Sequence, residues 1–161
     1  MKKSAFVTIG ALVAFAAVNT ASAQTATQTV TFQVTAINQI AVTGAPSLVI
    51  NAAAAGTAPT SATSSVGSWS VTTNQSGASI TASIASAMPT GVTLSANLTA
   101  PAGATSTGLT ALGTVAVNVV TGITKLNSAA LGLAYQLDAT AAAGVVSSST
   151  RVVTYTITGG V

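Results

Sequence analysis

From Thr27 to Ala36 apolar and polar residues alternate: Val30, Phe32 and Val34 fall between Thr29, Thr31, Gln33 and Thr35. A period of two is the mark of a strand with one apolar face, so this segment is predicted to be a strand. Ile40 and Val42 resume the alternation after Asn38, and Leu48 to Ile50 form a second short run beyond Gly44-Ala45-Pro46. Asn51 to Ser65 carries Ala, Thr, Ser, Gly and Pro without period and reads as a long loop.

The pattern sharpens from Val66 to Leu98. Trp69 and Val71, then Ile80, Ala82 and Ile84, then Val92, Leu94, Ala96 and Leu98 each mark one face, separated by turn signals at Asn74–Gly77 and Met88–Gly91. A tight turn at Asn74–Gly77 pairs Thr73 with Ala78, Val71 with Ile80 and Trp69 with Ala82, and predicts a three-strand meander. Pro101 to Gly108 is a further loop, followed by a strand marked by Leu112, Val115, Val117 and Val119 and ending near Gly122. A last hairpin sets Leu133, Tyr135 and Leu137 against Val153, Tyr155 and Ile157, joined by Ala141–Ser149. The expectation is all-β: an antiparallel β-sandwich of about eight strands.

The start of the chain differs from the rest. Met1-Lys2-Lys3-Ser4, an apolar run from Ala5 to Val18 and the Ala21-Ser22-Ala23 cleavage pattern form a secretory signal peptide over residues 1–23. The run contains Thr8 and Gly10 and is shorter than the roughly 20 residues that span a bilayer. Residues 24–161 are then one exported domain, with no membrane span after cleavage and a free terminus at Gln24.

Charge changes the functional picture most. The whole chain has four Lys or Arg, one acidic residue, no His and no Cys, for a net charge of +3. Lys2 and Lys3 leave with the leader, so only Lys125, Asp138 and Arg151 remain. A single carboxylate cannot build a catalytic dyad, triad or metal cage, so neither catalysis nor metal or cofactor binding is expected. Two separated cations make no footprint for nucleic acid. With so few titratable groups, folding stability should vary little between about pH 2 and 9.

The remaining candidates each have a plain structural reading. In the expected hairpin Asp138 lies on the polar face and Arg151 at the rim of the other, a weak surface pair at most. Lys125 is read as a loop residue. Trp69, Tyr135 and Tyr155 could stack sugars, but their register places them inward as core. The sequons at Asn74 and Asn97 match by chance in a chain rich in Asn, Ser and Thr. The threonine rows at 25–35 and 154–158 suit solvent-facing strands better than an ice-binding plane.

An exported leader, the alternating segment Thr25–Ala36 at a free terminus, a Thr/Ala/Ser-rich β domain and a C-terminal strand containing Tyr155 together make the chain similar to subunits of donor-strand-type bacterial pili. It differs from many of them in lacking a disulfide. The resemblance implies an immunoglobulin-like, pilin-like sandwich that self-associates through strand pairing. It implies Gln24–Ala36 as the assembly strand, with Val30, Phe32 and Val34 as its anchors. It further implies a secretion chaperone as a passing partner, and passage through the periplasm to the bacterial cell surface. The expected function is a structural subunit of an extracellular fibre or surface layer. The alternative is a cell-surface adhesin or carbohydrate-binding module with specificity in the loops 51–65 and 101–108. An outer-membrane β-barrel is a third reading, weakened by the lack of aromatic girdles.

Overall fold

The computed structural model describes residues 22–161. The leader lies almost wholly outside the described residues. The chain divides into a segment ending at Gln33 and a compact unit from Val34 to Val161.

The compact unit is all-β. Its strands are β1 (Asn38–Thr43), β2 (Ala62–Thr73), β3 (Ala78–Ile84), β4 (Val92–Leu98), β5 (Thr105–Ser106), β6 (Thr110–Ala111), β7 (Val117–Ile123), β8 (Leu126–Ala139) and β9 (Val153–Thr158). They form two antiparallel sheets, a five-stranded one in the order β1-β2-β8-β4-β6 and a four-stranded one in the order β5-β7-β3-β9. The inward rows of both sheets share one core: Trp69 and Val71 of β2, Ile80, Ala82 and Ile84 of β3, Leu94, Ala96 and Leu98 of β4, and Leu133 and Tyr135 of β8. This is the expected sandwich, in which alternate residues of each strand face a common interior. Among the described residues no helix is long and apolar enough to cross a membrane.

The pairing corrects several local expectations. Val71 and Ile80 are not cross-strand neighbours, because the turn after Thr73 carries the chain from one sheet to the other; β2 pairs with β1 and β8, and β3 with β7 and β9. The expected meander is therefore absent, although every residue assigned to its apolar face is buried or half-buried. The last two strands do not form a hairpin either, since β8 and β9 lie in different sheets. Leu48–Ile50 forms no strand, and the end of the long loop is already β2. Residues 22–36 form no strand, helix or turn, so the strand expected at 27–36 is unpaired here.

Two irregularities shape the sheets. Ala130 takes a left-handed conformation (φ 54°) where the β2–β8 register shifts between Trp69/Leu131 and Val71/Ser128, and its N–H is held by Ser70 Oγ at 3.3 Å. That is a β-bulge, which bends and twists a long strand. Gly44 closes β1 at φ +103°, and a side chain there would stand 2.7 Å from the Val66 carbonyl oxygen. Only glycine meets both demands.

Candidate functional site

The register gives the sandwich two distinct ends. Asn38, Thr73 and Leu126 are aligned at one, whereas Val92 and Ala139 are aligned at the other, with Ala62 beside Leu137. Since the turn 74–77 joins Thr73 to Ala78, the pairing Ser79–Thr158 belongs to the first end and Ile84–Val153 to the second.

At the first end Asn74 holds the backbone entering β1. Its Nδ2 donates to the Thr35 carbonyl (2.7 Å), its Oδ1 accepts from the Ile37 N–H (2.8 Å), and its own N–H donates to the Ile37 carbonyl (3.2 Å). The rest of the turn ties in neighbouring elements: the Gln75 carbonyl accepts from the Lys125 N–H, and Ser76 exchanges two backbone bonds with Val161. Lys125 itself has φ 42°, so it serves as a turn residue. In the sequence Asn74 stands out only as a sequon and a turn signal. An Asx residue opening a turn was the available clue, but its partners are distant in sequence.

At the second end the sheets separate into a cleft of about 940 Å³. Leu133, Tyr135 and Leu137 of β8 form one wall, and Val153 and Tyr155 of β9 the other. Val42, Leu48 and Met88 add apolar surface, and the connection 140–152, including Val146 and Arg151, borders the mouth. At the first end Asn38 Nδ2 donates to the Gly159 carbonyl at 3.4 Å, linking the start of β1 to the residue after β9.

Tyr155 Oη donates to Tyr135 Oη at 2.8 Å, joining the two sheets inside the cleft. Burial pushes both phenols above their ordinary pKa, and the shared hydrogen bond raises Tyr155 further while opposing the shift at Tyr135. Both therefore remain neutral hydroxyls in ordinary conditions. The site mixes apolar side chains with polar ones, among them Thr43, Asn51, Thr140 and Ser147–Ser149, around an internally satisfied pair of tyrosine hydroxyls.

The other sequence candidates are dispersed. Trp69 is core, 1% exposed, with its indole N–H donating to the Thr99 carbonyl at 3.2 Å. Asp138 accepts hydrogen bonds from the Ser61 hydroxyl and the Gln136 amide, while Arg151 donates to the carbonyls of Ala87 and Thr150. These two charged side chains thus have separate partners. Thr154, Thr156 and Thr158 are exposed on the outer face of β9, and Asn97 is exposed on β4.

Val30, Phe32 and Val34 are 72%, 88% and 78% exposed. Every residue from 22 to 37 is exposed, so the alternation there is not accompanied by alternating burial. No protein-family model, curated protein or solved structure matches the chain.

Proposed function

We propose that the protein is an exported structural subunit of an extracellular fibre or surface layer, assembled by β-strand addition. The observation that carries this reading is that Val30, Phe32 and Val34, apolar residues alternating with polar ones in the sequence, are all exposed. Burying each such side chain against a partner is worth about 1.5–3 kcal/mol, and an added strand gains main-chain hydrogen bonds as well. Soluble monomers usually protect edge strands with charge. Here the 22–36 segment, β1 and β9 contain no charged residue.

A binding module, adhesin or carbohydrate-binding domain draws on the cleft instead. Sugar stacking is poorly served, because Trp69 is buried and the two tyrosine hydroxyls are joined to each other. A membrane barrel would need one closed sheet, whereas the described strands make two open ones.

Electron microscopy of the native cell surface, with mass spectrometry of sheared material, tests the proposal. Filaments or a lattice containing this chain, lost when Gln24–Ala36 is deleted, are expected. A chain that is monomeric at the surface, and unchanged in state by the deletion, would overturn it.

A further inference from the structure

We propose that the cleft at the second end is a binding site for a small amphiphile, a single hydrocarbon chain ending in a carboxylate, with Arg151 at the mouth holding the head group. The site goes beyond the strand-addition reading and does not depend on it.

The lining of the cleft is sorted by burial. Leu94, Leu133 and Tyr135 are buried, and Leu137 and Val153, both half-buried, extend the same apolar surface. The two tyrosine hydroxyls in this part are bonded to each other, so they do not call for a polar ligand group. Ser147, Ser148, Ser149 and Thr150, in the connection that borders the mouth, are exposed. An apolar interior under a rim of hydroxyls matches a hydrocarbon chain with one polar end. The volume, about 940 Å³, lies within the range of small-molecule sites, roughly 300–1,000 Å³.

Charge selects the sign of that polar end. Arg151 is the one charged side chain among the described residues that line the cleft. Its Nε donates to the Ala87 carbonyl at 3.2 Å and its Nη1 to the Thr150 carbonyl at 2.8 Å, which fixes the guanidinium with two of its five N–H groups. Both partners are neutral, so its charge is not balanced. The chain has a single acidic residue to offer, Asp138, and that carboxylate accepts from Ser61 and Gln136 instead. The Gln24–Ala36 segment contains no charged residue and cannot supply the anion either. A planar guanidinium with donors to spare is matched by a carboxylate, which accepts two parallel hydrogen bonds.

Tail and head then leave separate signatures in binding. Burying one further methylene multiplies affinity by up to about fourfold, so affinity rises with chain length until the cleft is filled. The head group is read against a neutral one of the same length. Hydrogen bonds to a charged partner favour the carboxylate over the alcohol, by about tenfold for a guanidinium that is half-exposed.

Calorimetric titration of the exported chain tests this with octanoate, decanoate and dodecanoate below their micelle concentrations. Decanol and decyltrimethylammonium serve as head-group controls. Affinity is expected to rise from octanoate to dodecanoate, and decanoate to bind about tenfold more tightly than decanol, with the cationic amphiphile weakest. Arg151→Gln should remove the preference for decanoate over decanol and keep the dependence on length, Arg151→Lys should retain part of the preference, and Lys125→Gln at the first end should change neither. Amide shifts of the unsubstituted protein on adding decanoate should centre on Leu137, Val153 and Ser147–Ser149. Shifts centred on Ile37 and Lys125 instead, or affinity independent of chain length, would overturn the cleft as the site. Equal binding of decanoate and decanol, or a preference that survives Arg151→Gln, would overturn Arg151 as the holder of the head group. Absence of binding by all five amphiphiles would overturn the proposal as a whole.

Discussion

Two stretches of this chain are written in the same way and end in opposite environments. Val30-Thr31-Phe32-Gln33-Val34 and Ile80-Thr81-Ala82-Ser83-Ile84 both alternate apolar with small polar residues. In the second, every apolar side chain is buried, because β3 is flanked by β7 and β9 and lies over the larger sheet. In the first, every one is exposed. Alternation therefore specifies that a face is to be buried without specifying what buries it. β3 finds its cover within the fold, and the segment before β1 does not pair with any strand.

The strongest way to test the buried side of that comparison is Trp69→Ala. It should cost about 3–5 kcal/mol by leaving a cavity in the core, measured by denaturant unfolding. Folded wild-type protein should show blue-shifted tryptophan emission. A mild effect with solvent-like emission would mean that the core is not closed around β2.

The comparison itself is sharpened by truncating one residue in each stretch. Ile80→Ala should cost about 2–5 kcal/mol. Phe32→Ala should change unfolding of the dissociated chain by no more than about 0.5 kcal/mol, as exposed substitutions do, while weakening assembly. Equal losses in the dissociated chain would show that Phe32 is packed within its own fold.

Asn74→Ala removes the side-chain bonds to the Thr35 carbonyl and the Ile37 N–H. These groups are at the surface and can turn to water, so a loss of about 1 kcal/mol is expected. Faster amide exchange at Ile37, but not at Ile80, would show that the direction of the segment entering β1 depends on this side chain. Unchanged exchange at Ile37 would deny Asn74 that role.

The smallest effect at ordinary pH concerns the tyrosine bridge. Both folded phenols have raised pKa values, whereas an unfolded tyrosine titrates near about pH 10. Below that pH the contribution of the neutral pair is fully present. As pH rises further, the unfolded chain loses these protons while the folded chain retains them, so stability falls towards the folded pKa values. Thermal unfolding should therefore decline above about pH 10, and the decline should be smaller in Tyr155→Phe. An identical decline in the variant would exclude the bridge as its cause.

Much of the interior was legible along the chain. Trp69, Val71, Ile80, Ala82, Ile84, Leu94 and Leu98 all lie on alternating rows, and each is buried. Neighbours were harder to read. Tyr135 and Tyr155 do meet, as their positions on inward rows suggest, but as a hydrogen bond between two sheets and not as a hairpin pair. The connection 140–152 is long enough to cross the sandwich, and nothing in its Ala-, Val- and Ser-rich sequence distinguishes a crossing from a return. The cleft was invisible for the same reason: its walls come from β1, β8, β9 and the 44–53 and 88–92 segments, which meet only after folding.

The sequence by itself determined an all-β chain, the inward face of most strands and the scarcity of titratable chemistry. Each follows from side-chain type and a period of two, properties local to a few residues. Only tertiary structure decided which strands pair, that the smaller sheet stops at β9, and that the segment entering β1 and the cleft occupy opposite ends. Pairing depends on which edges the connecting loops bring together, and one strand's alternation satisfies many partners equally well. What distinguishes the partners is the arrangement of the whole sandwich, including the edge that it leaves open.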